Sequence, residues 1–176
     1  MTIAEKLLPE FDEEFALTRK MLAIVPDDKL TWKPHEKSMS LRQLAWHVAD
    51  FPSWCTMTMT KDRLDMTSGE GEKMAQAAKS ATQATMLARF DHDLPEARAA
   101  LAGTTDEAMG QHWKMEWGGQ TVIDSPKLDV YRKWCINHMV HHRAQLGVYL
   151  RLLGVAIPGS YGPSADEMPP RTAAAD

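Results

Sequence analysis

A chain of 176 residues with 24 acidic and 20 basic side chains carries a formal net charge of −4, so it has no basic field to gather phosphates or an anionic lipid surface. That length suits one domain able to bury about 70% of its unfolded-chain surface without a covalent staple. No apolar run nears the roughly 18 residues that span a bilayer, the N-terminus lacks the basic-then-apolar layout of a signal peptide, and only Cys55 and Cys135 occur. These features lead us to expect a cytoplasmic protein with reduced core thiols and neither nucleic acid nor membrane as partner.

The first predicted helix opens with Thr2 as cap and Glu5 reaching back, and it carries Leu7, Leu8, Phe11, Phe15, Thr18 and Leu22 on one side to about Ile24. Pro9 interrupts it, so a start nearer Pro9 is the alternative. In residues 26 to 40, Pro26, Asp27, Asp28, Pro34 and Lys37 break any period, and the stretch reads as a loop. Ser40 and Gln43 then form a capping box for a second helix whose stripe is Leu41, Leu44, Val48, Phe51, Cys55 and Met59, with His47 beside it. Pro52 removes the partner of the Val48 carbonyl, which predicts a bend one turn past His47.

Residues 61 to 80 are polar, with Gly69 and Gly71 around Glu70, and read as a long mobile crossover. A third helix is expected from about Ala81 to Leu101, with Leu87, Phe90, Leu94, Ala97 and Leu101 inward, Pro95 inside it and Gly103 as its end. Alternation through Trp113, Met115 and Trp117, then Gly118-Gly119, then Thr121 and Ile123, is the pattern of a small β-hairpin. Ser125-Pro126 reads as cap and first-turn proline of the fourth helix, which stops at Gly154. The expected architecture is all-α: one four-helix bundle over residues 1–167 with a long crossover connection, a small β-hairpin before the last helix, and a flexible tail over 168–176.

In heptads from Leu128 the inward positions of the fourth helix are Leu128, Tyr131, Cys135, His138, His142, Gln145, Tyr149 and Leu152. Two imidazoles thus stand where a core wants leucine, four residues apart on one face, a spacing that lets both grip one metal ion. The same spacing also occurs as a hydrogen-bonded core feature. An inward His47 on a facing helix would complete three nitrogens, leaving an open position on a zinc-like centre. His35, His92, His112 and His141 fall in loops, on polar faces or about 100° from the pair, and read as non-ligands. Cys135, one turn before His138, is either a soft fourth ligand or a small apolar filler. Asp50 and Gln145 are candidates to orient an imidazole or simply solvated, and Asp50 is the single candidate for a catalytic base. The six tryptophans at 32, 46, 54, 113, 117 and 134 read as packing or as the lining of a pocket.

Three stretches carry a family resemblance: Ser40-Leu41-Arg42-Gln43-Leu44-Ala45-Trp46-His47, Asn137-His138-Met139-Val140-His141-His142-Arg143-Ala144-Gln145-Leu146, and Tyr161-Gly162-Pro163-Ser164-Ala165-Asp166-Glu167. Together they resemble the DinB-like (damage-inducible) superfamily across most of the chain. The resemblance implies a four-helix bundle holding a divalent metal, zinc or nickel, through His47 on the second helix and His138 and His142 on the last. It also implies a homodimer related to S-transferases and isomerases that use a low-molecular-weight thiol. Ala144 departs from the glycine usual there, a change a helix accepts freely.

The leading expectation is a metal-dependent thiol S-transferase, in which a thiolate of lowered pKa attacks a small electrophile. A metal-dependent hydrolase and a non-catalytic metal- or ligand-binding stress-response protein are the alternatives.

Overall fold

The computed structural model describes residues 1–169, apart from the side chains of residues 70–75. Helix α1 (Ile3–Leu22) starts at the expected reciprocal cap: the Glu5 N–H donates to Thr2 Oγ1 over 3.1 Å and the Thr2 N–H to the Glu5 carboxylate over 2.7 Å. Pro9 therefore lies inside the helix and does not begin it. Ser40 and Gln43 cap α2 (Leu41–Ala49) in the same manner. The bend expected past His47 is a full break, because α2 ends at Asp50 and α3 (Phe51–Thr60) resumes with Pro52 in its first turn, where a missing N–H costs nothing.

Residues 61–80 are not the mobile connection expected. They form strand β1 (Arg63–Asp65) and helix α4 (Gly69–Ser80). Between the two, Asp65 Oδ1 accepts from both the backbone N–H and the hydroxyl of Thr67. Past the two glycines the sequence Glu72-Lys73-Met74-Ala75-Gln76-Ala77-Ala78-Lys79 consists of strong helix formers, and their summed preference outweighs the glycine signals. Thr82 caps α5 (Gln83–Gly103), whose buried side is Met86, Phe90, Ala97 and Leu101, with Leu87 and Leu94 half-buried.

After α6 (Asp106–Gly110), the expected hairpin is present as β2 (His112–Trp117) and β3 (Gln120–Pro126). Gly118 and Gly119 both take positive φ, 56° and 77°, the turn that matches the natural twist of paired strands. Strand β1 adds to it in parallel, Leu64 opposite Met115, which makes a three-stranded sheet in the order β1-β2-β3. Ser125 does not cap the last helix, since it pairs with Trp113 in the sheet. The helix begins one residue later than expected, where the Lys127 N–H donates to the Gln111 carbonyl and its buried ammonium to the Met59 carbonyl.

The last helix comprises α7 (Lys127–Val130), a π-helical segment (Tyr131–Asn137) and α8 (His138–Leu152), and Gly154 at φ 75° ends it. A π segment turns more slowly than an α-helix, and the inward stripe drifts accordingly. Tyr131 and Cys135 are fully buried as expected, but beyond the π segment the core side is Met139, Arg143, Leu146 and Leu150, while Leu152 is 61% exposed. Both cysteines are free and buried.

The helices α1, α2 with α3, α5 and the last helix pack as a four-helix bundle, with the residues 61–82 as its long crossover. Phe11, Phe15, Leu44, Val48, Phe90 and Leu146 are among its core residues. A second cluster, Leu64, Trp113, Met115, Ile123 and Val130, seals the sheet against the bundle. Among the described residues no helix is long and apolar enough to cross a membrane. From residue 170 the expected tail lies outside the described residues.

Candidate metal centre

The contact between α2 and α8 brings His47 to His138 and His142. The His47 ring centroid lies 5.1 Å from that of His138 and 4.7 Å from that of His142, and one ligand nitrogen from each of the three falls within 4.8 Å of the others. Phe51, the first residue of α3 just past the break, is fully buried with its ring centroid 4.9, 5.2 and 6.4 Å from those of His47, His138 and His142, so it floors the cluster. Trp134 stands edge-on to His138 at 5.9 Å. Along the last helix Trp134, His138, His142, Gln145 and Tyr149 are all half-buried. That row lies between a sealed core face and an open solvent face.

The orientation of two rings is fixed from behind. His142 Nδ1 and Gln145 Oε1 are 2.8 Å apart, and the backbone of Trp134 hydrogen-bonds the His138 ring. A carbonyl oxygen accepts, so each ring donates to it, and His142, with Nδ1 so engaged, keeps Nε2 for another partner. The two Nε2 atoms face each other at 2.8 Å. That is a hydrogen-bond distance, which the metal-free chain fills with one ring proton and which two unprotonated Nε2 atoms leave to a shared cation.

A proton is a poor candidate for that cation. Burial, with the charges of His142 and His138 next, pulls the His47 pKa from 6.5 down to about 3. Burial and a neighbouring imidazole also lower His138 and His142. Neutral imidazole donors that converge and resist protonation fit a borderline divalent metal.

The same depression predicts how the metal-stripped protein responds to acid. Below pH 6.5 the unfolded chain protonates His47 while the folded chain does not until about pH 3. The unfolded state then binds more protons, so stability falls with pH across that window and is flat above it. For His47 alone the loss is about 1.4 kcal/mol by pH 5.5. Urea unfolding of chelator-treated protein at pH 7.5 and 5.5 should show it, with a shallower dependence in His47→Asn. Equal stability at the two pH values would contradict it.

Asp50 is 3% exposed, and its carboxylate accepts from Arg89 Nε at 2.8 Å, Ser53 Oγ at 3.2 Å and Trp54 Nε1 at 3.2 Å. It ties the α2–α3 break to α5 and is fully engaged there. Cys135 is fully buried with Sγ 3.6 Å from Thr58 Oγ1. His92 and His112 pair with Asp93 and Asp124 on the surface, His35 accepts from the Lys37 N–H, and His141 is exposed beside His142.

One network behind the site was not singled out from the sequence. Arg143, 2% exposed, places NH2 2.7 Å from Glu14 Oε2 and donates NH1 to the Glu14 carbonyl and Thr18 Oγ1 of α1. The Tyr161 hydroxyl accepts from Arg143 and donates to Glu14 Oε1. Farther along, Arg151 pairs with Asp166. The third stretch of the resemblance thus fastens the C-terminal segment to α1 and α8. An arginine directly after His142 was the available signal, but its partner lies 129 residues away.

The DinB family model matches residues 1–172. The Bacillus subtilis protein YrdA, itself uncharacterized, is 24% identical over 165 residues, covering 93% of this chain and 90% of its own length. A DinB-like protein from Bacillus cereus shares the fold with a TM-score of 0.66 at 23% identity, over 91% of this chain and 98% of that one. Bacillus subtilis YfiT, described as a probable metal-dependent hydrolase with an unusual four-helix bundle topology, superposes with a TM-score of 0.62 at 16% identity, over 87% and 89%.

Proposed function

Because the chain belongs to the DinB family, we propose that His47, His138 and His142 hold one divalent metal ion, zinc or nickel, in a thiol S-transferase acting on a small electrophile. The observation that carries this reading is the convergence of three imidazole nitrogens, from His47, His138 and His142, within 4.8 Å of one another. When bound, such an ion supplies Lewis acidity that lowers the pKa of a thiol and holds its anion. The chain's own part is orientation. Gln145 and the Trp134 carbonyl hold two imidazoles in register, and Phe51 keeps water from beneath the rings.

A thiol needs no protein base beyond this, whereas water attack generally benefits from one. The rings and hydrogen-bonding groups around the triad, Phe51, Trp134, His141 and Gln145, include no carboxylate, and Asp50 is held by Arg89. Hydrolysis is the second reading, favoured by the description of YfiT.

The two separate in one assay of metal-loaded protein. 1-Chloro-2,4-dinitrobenzene is offered with glutathione, bacillithiol or mycothiol, and p-nitrophenyl acetate is offered without thiol. Thiol-dependent turnover that a chelator abolishes and metal restores is expected. Ester cleavage alone would replace transfer by hydrolysis, and no turnover in either would leave a non-catalytic binder.

A further inference from the structure

The half-buried row on the last helix extends past the triad in both directions. Toward its C-terminal end are polar groups, the Gln145 amide and the Tyr149 hydroxyl, the latter donating to the Met39 carbonyl. Toward its N-terminal end is the Trp134 indole, next to His138. The row is thus chemically two-sided, with the triad at the boundary.

Trp134 differs from the other large aromatic residues around the centre. Phe51 is sealed beneath the rings, but Trp134 keeps part of its ring open while packing against the second cluster of Leu64, Trp113, Met115, Ile123 and Val130. All of that cluster but Val130 belongs to the sheet, so the sheet braces the indole from behind. Lys133, an exposed residue, holds its ammonium 5.6 Å from the ring centroid, so one π face is reached from solvent by a cation that a bound ring would displace. A rigid, partly open indole beside a nucleophile-activating centre is suited to stack a flat π system.

We propose that Trp134 forms the acceptor subsite: it stacks an aromatic or similarly flat unsaturated ring of the electrophile, with the reacting carbon turned toward the triad. Trp134 is then a specificity-determining residue. This rests on the metal reading above, and the test separates the two. Cobalt(II)-loaded protein is titrated with benzohydroxamate and with acetohydroxamate, two metal-directed probes that differ in the ring, and binding is followed by the visible cobalt bands.

In the wild type the ring should bring about five- to tenfold tighter binding. Trp134→Leu should lose that preference at unchanged cobalt stoichiometry and unchanged acetohydroxamate affinity, and Trp134→Phe should keep most of it. Should the leucine variant not take up cobalt, Trp134→Met serves as the second ring-free chain. An equal preference in wild type and ring-free variants would overturn the subsite while leaving the metal reading intact. A wild type that takes up no cobalt would overturn the metal reading, and the subsite with it.

Discussion

Arg143→Met is expected to lower the unfolding free energy by about 3–5 kcal/mol, the usual result of leaving one member of a buried ion pair without its partner. Glu14 is 8% exposed and Arg143 2% exposed, so neither charge can turn to water. The guanidinium also supplies donors to the Glu14 carbonyl, Thr18 Oγ1 and the Tyr161 hydroxyl, and the substitution removes these bonds as well. The double variant Glu14→Leu/Arg143→Met should recover much of the loss, because the buried carboxylate goes with its partner. Equilibrium urea unfolding of the two chains checks this. A single variant within about 1 kcal/mol of wild type would show that the network is not the clasp between α1 and α8.

His142→Ala should do the reverse: leave the fold standing and take the metal away. Removing a directly coordinating imidazole is expected to weaken metal affinity by more than about a hundredfold, the upper range for groups that only orient a ligand. Without metal the variant loses only a half-buried ring and its hydrogen bonds to His138 and Gln145, so the chelated variant should be about 1 kcal/mol less stable than chelated wild type at neutral pH, with the fold intact. Competition with a chelating dye gives the affinity, and urea unfolding gives the stability. Wild-type affinity in His142→Ala would remove this residue from the centre.

The parts of the fold legible in the sequence are those encoded by adjacent residues. The caps at Thr2 and Ser40 and the Gly118-Gly119 turn each depend on side chains or φ angles within four positions. Helix α4 was missed because its two leading glycines mask the run of helix formers that follows. The π segment left no periodic mark, yet it decides that Arg143 and not His142 faces the core. At the site, the spacing of His138 and His142 was readable, and so was Gln145. The arrival of His47 depends on how α2 packs on α8, and the capture of Asp50 by Arg89 on how α3 packs on α5. Such encounters are tertiary and have no local signal.

The central claim is that three imidazoles from two helices hold one metal ion. Elemental analysis of tag-free protein after purification without added metal tests it most directly. About one divalent ion per chain is predicted, absent from both His47→Ala and His142→Ala. A wild type that carries none and takes up none from zinc or nickel solutions would contradict the account and leave the three histidines as polar members of the bundle core.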